Sequence, residues 1–522
     1  MSTNITYAKS LVLNFMGNAP AWYKNTIIAF LIINPLVAYV SMYAAGWLLI
    51  AEFIFTLAMA LESYPLESGG LIVAEACFIG MCDMEMVTHE IYGNLEVLLL
   101  LMFMVAGIHF VRDFLLFFFT KIMVHVRSHV MLAFLFCSLC GLISAFVDAL
   151  TVLAIIISTC AGLYQLYIST ISDNKLALVS VKDNVIPGEY KKDLEEFRAF
   201  LRSILMHAAV GTTIGGVCTI VGEPQNLIVG NICGWDFIDF ALRMSPISLP
   251  IVIFGLSTCF LIEKYKLFGY GHTMPESVYK ILIQQDEKNY QHMSRRDKLN
   301  LIIQCLCCVY LVTALGLHLA SVGIIGLSII IFATSFCGVA EAEIGKAFIE
   351  SMPFCALLCV FFAVVAIISA QGLFDPIIAW VFSTDEQYHL PIFYLANGII
   401  SAVSDNVFVA TIYIQQVRDS LFDGVITPEH FDNLAVAINA GTNLPSVATP
   451  NGQSAFLFLL TSPLAPLIRL PYLRMMWMAL PYTIVLTLVG LICTWFVMPE
   501  VTTWFIEEGF LDIATLESVA KP

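Results

Sequence analysis

The stretch ISAFVDALTV, Ile143 to Val152, sets one aspartate inside an otherwise apolar run, and its reading decides the fold. Asp148 is the only charged residue between Met131 and Ser172. A second stretch, ISAVSDNVFV, spans residues 400 to 409. Aligned without gaps, Ile143/Ile400, Ser144/Ser401, Ala145/Ala402, Asp148/Asp405 and Val152/Val409 are identical. A charged carboxylate in the middle of a bilayer costs about 2.5–3.5 kcal/mol on insertion scales, so it marks a functional position unless it is paired.

The composition identifies the solvent around that run. Of 522 residues, 59% are hydrophobic and 12% charged, and mean hydropathy is +0.86. Soluble domains carry roughly 25% charged residues, so most of this surface meets lipid. A span needs about 20 apolar residues, and the apolar runs between residues 25 and 498 predict roughly ten to thirteen membrane segments. No basic segment, short apolar stretch and small-residue cleavage site opens the chain, so a removable signal peptide is not expected. The net charge of −16 comes from loops and the C-terminal end and points to no nucleic-acid partner. The C-x-x-C pairs Cys137/Cys140 and Cys305/Cys308 lie in apolar runs, without the further ligands a zinc site needs, and read as packing residues. His207 reads as packed or interfacial, and Glu52, Glu75, Glu96 and Asp113 as interface or loop-flank residues.

Basic residues orient the chain. Of 24 Lys and Arg, six lie in 169–202 (Lys175, Lys182, Lys191, Lys192, Arg198, Arg202) and seven in 264–298, which assigns both loops to the cytoplasm. The loop after Asp405, RDSLFDGVITPEHFDN, has one Arg and four acids. Two similar units whose loops differ in charge predict opposite orientation, the inverted repeat of many secondary transporters. The expected organisation is N-terminal helices over 1–90, a first repeat over 91–265 and a cytoplasmic linker over 266–297. A second, inverted repeat over 298–498 and a tail over 499–522 complete it. The fold class is all-α and polytopic, with discontinuous helices and re-entrant hairpins.

Each aspartate segment is followed by a second motif. GGVCTIVGEPQNLIVGN holds Glu223, Pro224, Gln225 and Asn226, and GTNLPSVATPNGQ holds Thr442, Asn443, Thr449, Pro450 and Asn451. Gly and Pro break helices, and broken backbone is tolerated in a membrane only where protein or a water-filled cavity covers it. Asp148 is therefore the candidate for proton and Na⁺ exchange, with Asp405 as its counterpart. Ser144, Ser401, Ser404, Asn406, Thr212, Glu223, Gln225, Asn226, Thr442, Asn443, Thr449 and Asn451 are candidate oxygen donors around them. Gly211, Gly441, Pro224 and Pro450 are expected to shape the hairpin tips that present them.

These paired motifs resemble the signatures of the ion transporter superfamily, most closely the NhaB sodium/proton antiporter family. The resemblance extends through AGWLLIAEFIFTLAMAL, NLEVLLLLMFMVAGI and RMMWMALPYTIVLTLVGLIC. It implies electrogenic exchange of cytoplasmic Na⁺ for external H⁺ across a bacterial inner membrane, serving salt and pH tolerance. It also implies an inverted-repeat fold and a functional Asp148. Chemistry agrees: desolvation favours the protonated carboxyl and a bound cation favours the carboxylate, so H⁺ and Na⁺ compete for one group. No enzyme activity and no cofactor is expected. The cargo is Na⁺ and H⁺, with Li⁺ as a further candidate, the partner is the bilayer, and a homodimer is compatible. Sodium-coupled dicarboxylate transport is the alternative within the superfamily. The absence of Lys and Arg from Ser203 to Leu242 and from Asp419 to Ile468 weighs against it. An intramembrane aspartyl protease is the remote alternative, and neither aspartate has the Gly-x-Gly-Asp pattern it needs.

Overall fold

The computed structural model describes residues 7–171, 190–513, 515, 516 and 519. Lys175 and Lys182 of the first basic loop, and the end of the tail, lie outside them. Among the described residues all regular structure is helical, as lipid demands of a chain that must satisfy its own backbone. The N-terminal helices are α1 (Tyr7–Asn14), α2 (Ala21–Val40), α3 (Met42–Ala58), α4 (Pro65–Ile79), α5 (Met84–Gly93), α6 (Leu95–His109) and α7 (Arg112–His125). Next come α8 (His129–Ser144), α9 (Ala149–Ile171), α10 (Lys191–Gly216), α11 (Pro224–Cys233) and α12 (Phe237–Lys264). Helix α13 (Glu276–His292) lies in the basic linker, followed by α14 (Arg295–Gly316), α15 (Val322–Phe336), α16 (Glu341–Ala370) and α17 (Asp375–Phe382). The second set is α18 (His389–Val403), α19 (Asn406–Phe422), α20 (Pro428–Asn443), α21 (Ser454–Thr461), α22 (Leu464–Leu467) and α23 (Tyr472–Ile492), and α24 (Met498–Glu507) is the last described helix.

Six described helices are long and apolar enough to cross a membrane, or seven if the bent pair over 84–93 and 97–109 counts as one. That is fewer than the apolar runs predict. The runs around both aspartates and both Gly-Thr motifs are cut into shorter pieces, and hydropathy counts residues without seeing the cut.

Glycines set the closest crossings. A Cβ on Gly211 would sit 2.3 Å from the Cys137 carbonyl oxygen, and one on Gly215 1.8 Å from that of Gly141. Helices α8 and α10 therefore run parallel with their backbones touching. The second set repeats this at corresponding positions: a Cβ on Gly441 would sit 2.5 Å from the Tyr394 carbonyl oxygen, and one on Gly398 2.6 Å from Pro445 Cγ. Helix α9 instead runs back along α10. Its start is tied by Ala149 N–H to Gly222 O (3.3 Å), and near its end the rings of Tyr167 and Phe197 lie 5.5 Å apart. Segments α8–α9 thus form a hairpin with Asp148 at its turn. In the second set α18 and α20 begin together, with His389 Nδ1 and His430 Nε2 3.0 Å apart, and α19 returns to just before α20.

The Gly-Thr segments behave differently. Near the start of α10, Glu195 pairs with Arg469 at 2.9 Å and Arg202 donates to the Ile468 carbonyl, both beyond α22. Past the end of α11, Trp235 Nε1 donates to Asp432 near the start of α20 at 3.2 Å. Asp432 also pairs with Arg243 of α12 at 2.9 Å, inside the protein. Segments α10–α11 and α20–α22 therefore pass each other in opposite directions, each interrupted midway. Discontinuous helices and helical hairpins both occur, but exchanged relative to expectation: the hairpin turns sit at Asp148 and Asp405, and the Glu223 and Thr449 regions are breaks. Gly and Pro announce an interruption, whereas only neighbouring helices decide whether the chain turns back.

Candidate functional site

Two turns and two breaks meet in the middle of the molecule. Asp148 stands just before α9, 7% exposed. Its Oδ2 accepts from Thr151 N at 3.2 Å and Thr151 Oγ1 at 3.4 Å, while Oδ1 is buried without a partner. Asp405 is the N-cap of α19 and accepts through Oδ1 from Val407 N (2.9 Å) and Phe408 N (3.2 Å). Both carboxylates thus meet the unpaired N–H groups of a helix start, where negative charge is favoured. Neither has a Lys or Arg bonded to it among the described residues.

A threonine locks each break to its turn. Thr219 Oγ1 donates to the Ala145 carbonyl, and Thr449 Oγ1 to the Ala402 carbonyl. Gly222 and Gly452 follow, and a Cβ on either would strike the carbonyl of Gly216 or Ser446. One residue on, the first break carries Glu223 and the second Gln453. Glu223 is 1% exposed, with both carboxylate oxygens unpartnered. It lies within electrostatic reach of Asp148 and Asp405. It occupies the N-cap of α11 without capping it.

The amides hold the two breaks together. Gln225 Nε2 donates to Asn443 Oδ1 at 2.7 Å, and Asn443 Nδ2 to Asn226 Oδ1 at 3.1 Å. Asn226 Nδ2 donates to the freed carbonyls of Gly216 and Thr219, both at 2.7 Å, and Gln453 Nε2 serves the Asn443 carbonyl at 2.8 Å. These side chains replace the hydrogen bonds that the interruptions remove. Asn406, 1% exposed, leaves both amide atoms unpartnered, and Ser144 Oγ and Gln225 Oε1 are also unpartnered.

Other expected donors face elsewhere. Thr212 and Thr442 bond back to their own helices, at Ala209 O (2.8 Å) and Asn439 O (3.0 Å). Ser404 returns to Ile400 O (2.8 Å), Ser401 reaches Thr442 O (3.0 Å), and Asn451 Nδ2 donates to Ala58 O at the end of α3. Gly211 and Gly441 serve the helix crossings, not a turn. Pro224 opens α11 as its first residue, and Pro450 lies in the second break. His207 is packed, between Tyr482 OH at 2.7 Å and Glu263 Oε2 at 3.0 Å.

The two aspartates differ in access. Asp148 lines a cavity of about 620 Å³ together with Thr151, Pro224, Ser158, His109 and Arg112. Arg112 Nη2 donates to Ser158 at 3.1 Å. Asp405 is partly exposed and within electrostatic reach of Tyr64, in the turn between α3 and α4. Sequence reasoning missed Thr151, Thr219, Gln453, Tyr64 and Arg112. The spacing from Thr219 to Thr449 equals that from Thr212 to Thr442, so the locking threonines were detectable; Tyr64 and Arg112 carried no signal.

Three buried or half-buried carboxylates and several unsatisfied amide and hydroxyl oxygens, gathered at helix interruptions, suit a small hard cation. No trio of His, Cys, Asp or Glu is placed to hold a metal ion among the described residues. Fold and site together define a polytopic helical carrier of small ions. A sequence profile of the family "Bacterial Na+/H+ antiporter B (NhaB)" matches residues 3–513, and the chain belongs to that family. It is 56% identical over 513 residues to proteins named Na(+)/H(+) antiporter NhaB from Escherichia coli (strain K12 / DH10B) and Shigella boydii serotype 18 (strain CDC 3083-94 / BS512). Each alignment covers 98% of this chain and all of the relative.

Proposed function

We propose that the chain is a multi-pass inner-membrane antiporter that exchanges cytoplasmic Na⁺ for external H⁺ electrogenically, with loops 169–202 and 264–298 in the cytoplasm. The observation that carries the reading is that Asp148, Asp405 and Glu223 all sit at helix interruptions, Glu223 within electrostatic reach of both aspartates, with no basic side chain bonded to any of them among the described residues. In this reading Asp148 Oδ1 takes Na⁺ or H⁺ from the cavity. Burial favours the proton on the carboxyl, a seated Na⁺ favours the carboxylate, and occupation by one expels the other. Glu223 supplies a second negative oxygen set to the same ion, and Asn406, Gln225 and Ser144 complete it with neutral oxygens. Asp405 plays the equivalent part from the other hairpin.

The antiparallel passage of α10–α11 and α20–α22 supports an inverted repeat, with the two units over 91–265 and 298–498. Opposed units let the central site open to one side at a time. Li⁺, another hard monovalent cation, is a second cargo in this reading. The test is a pH-gradient dequenching assay in proteoliposomes with Na⁺, Li⁺, K⁺ and succinate added in turn. Na⁺ and Li⁺ should collapse the gradient, K⁺ and succinate should not, and Asp148→Asn with Asp405→Asn should abolish the response. Unchanged sodium-dependent proton flux in that double variant refutes the assignment.

A further inference from the structure

Away from the interruptions, three polar side chains meet inside the N-terminal helices. Asn34 on α2 donates through Nδ2 to Glu52 Oε2 on α3 at 2.9 Å and to Glu75 Oε2 on α4 at 3.1 Å. Asn34 is 4% exposed and Glu52 2%, while Glu75 is half-buried. Asn34 Oδ1 and Glu52 Oε1 are both buried without a partner. The groups acting on Glu52 are Asn34 and Glu75. From the neighbouring elements, Tyr23 of α2 is engaged by Ser68 of α4 at 2.8 Å, Glu67 lies in the first turn of α4, and α16 is free of charged residues from Ser351 to Ala370.

Two carboxylates that converge on one amide within an apolar bundle do not both ionise. The trio also lacks a donor: both orphan atoms are acceptors, and Asn34 Nδ2 already serves both carboxylates. One added proton supplies that donor. A sodium ion fits less well, because the amino group of Asn34 fills the space between the carboxylates where it would sit. We propose that Glu52, Glu75 and Asn34 form a proton-binding site separate from Asp148 and Asp405, with half-buried Glu75 as its entry and Glu52 as its store. The site is linked to the second aspartate by packing. Phe53, next to Glu52, lies with its ring 5.0 Å from Phe408, whose backbone N–H caps Asp405.

The test is an infrared pH titration of the full-length protein in lipid nanodiscs, read at the stretch of protonated carboxyl groups. Wild type should show a titrating band that Glu52→Gln removes, Glu75→Gln shifts in pH, and saturating Na⁺ leaves in place. The same band should persist in Asp148→Asn/Asp405→Asn, so this site and the exchange site fail separately: flux reports one, this band the other. If Glu52→Gln does not fold, Glu75→Gln and Asn34→Leu carry the measurement, the latter moving the band's frequency while both carboxyls remain. Carboxyl bands unchanged by these substitutions, or a band that Na⁺ bleaches, overturn the proposal.

Discussion

The hairpins that carry Asp148 and Asp405 are built alike and used differently. Each is crossed by a parallel helix at a glycine, tied to a break by a threonine hydroxyl, and turned at an aspartate facing a helix start. The first, however, opens on a cavity and faces a glutamate at the next break, where the second faces Gln453 and the turn bearing Tyr64. The first hairpin thus sets its aspartate on a cavity with a carboxyl group at the next break, and the second sets its partly exposed aspartate beside Tyr64 with an amide at the next break. On the proposed inverted repeat, the difference teaches that the shared frame tolerates single substitutions that assign the work.

The largest expected effect breaks the comparison outright. Asp148→Asn should cut sodium-dependent proton flux in proteoliposomes by about a hundredfold, since a buried charge-assisted contact is worth roughly 3 kcal/mol. Asp405→Asn alone should cost less, and equal losses would mean that the cavity at Asp148 does not distinguish the two. Next comes the frame itself. Gly215→Ala drives a methyl into the Gly141 carbonyl and should destabilise the protein by about 1–3 kcal/mol or prevent its accumulation, measured as melting temperature in detergent. Its second-set counterpart is Pro445, which shows that this crossing is looser. Exchange of the differing residues sharpens the contrast further: Glu223→Gln makes the first break resemble the second and should raise the Na⁺ concentration for half-maximal flux by about tenfold, roughly 1.4 kcal/mol. Gln453→Glu should not compensate it. The smallest effect on flux is expected for Asn443→Leu, which leaves Gln225 Nε2 and Asn226 Oδ1 buried without that partner and should instead lower stability, by about 1–3 kcal/mol for each orphaned group.

Much of this was legible in the sequence. The repeated ISA…D motif marked both aspartates, the Gly-Thr and Pro-Asn motifs marked interruptions of the backbone, and charge counting chose a cation. What was hidden depends on direction and on distant pairing. Hydropathy gives the length of an apolar run, not whether it doubles back, so the hairpins were assigned to the wrong motif of each pair. Thr212 and Thr442 looked like donors because a hydroxyl in an apolar helix has few other roles, yet each satisfies its own backbone, a common habit of Ser and Thr. Glu52 and Glu75 were read singly, and their meeting at Asn34 requires three helices to be in place.

The two sets of helices also share partners. Helix α11 packs against α19 and α20, and α21 against α9 and α10, so each half completes the other. A ribosome that has made everything up to the linker has therefore inserted a polypeptide whose Glu-Pro-Gln-Asn region still awaits its neighbours. Biogenesis must keep that intermediate shielded until translation of the second half finishes. A chain stopped after Met293 should be short-lived in pulse-labelled cells, and should be rescued when the remainder is synthesised alongside it.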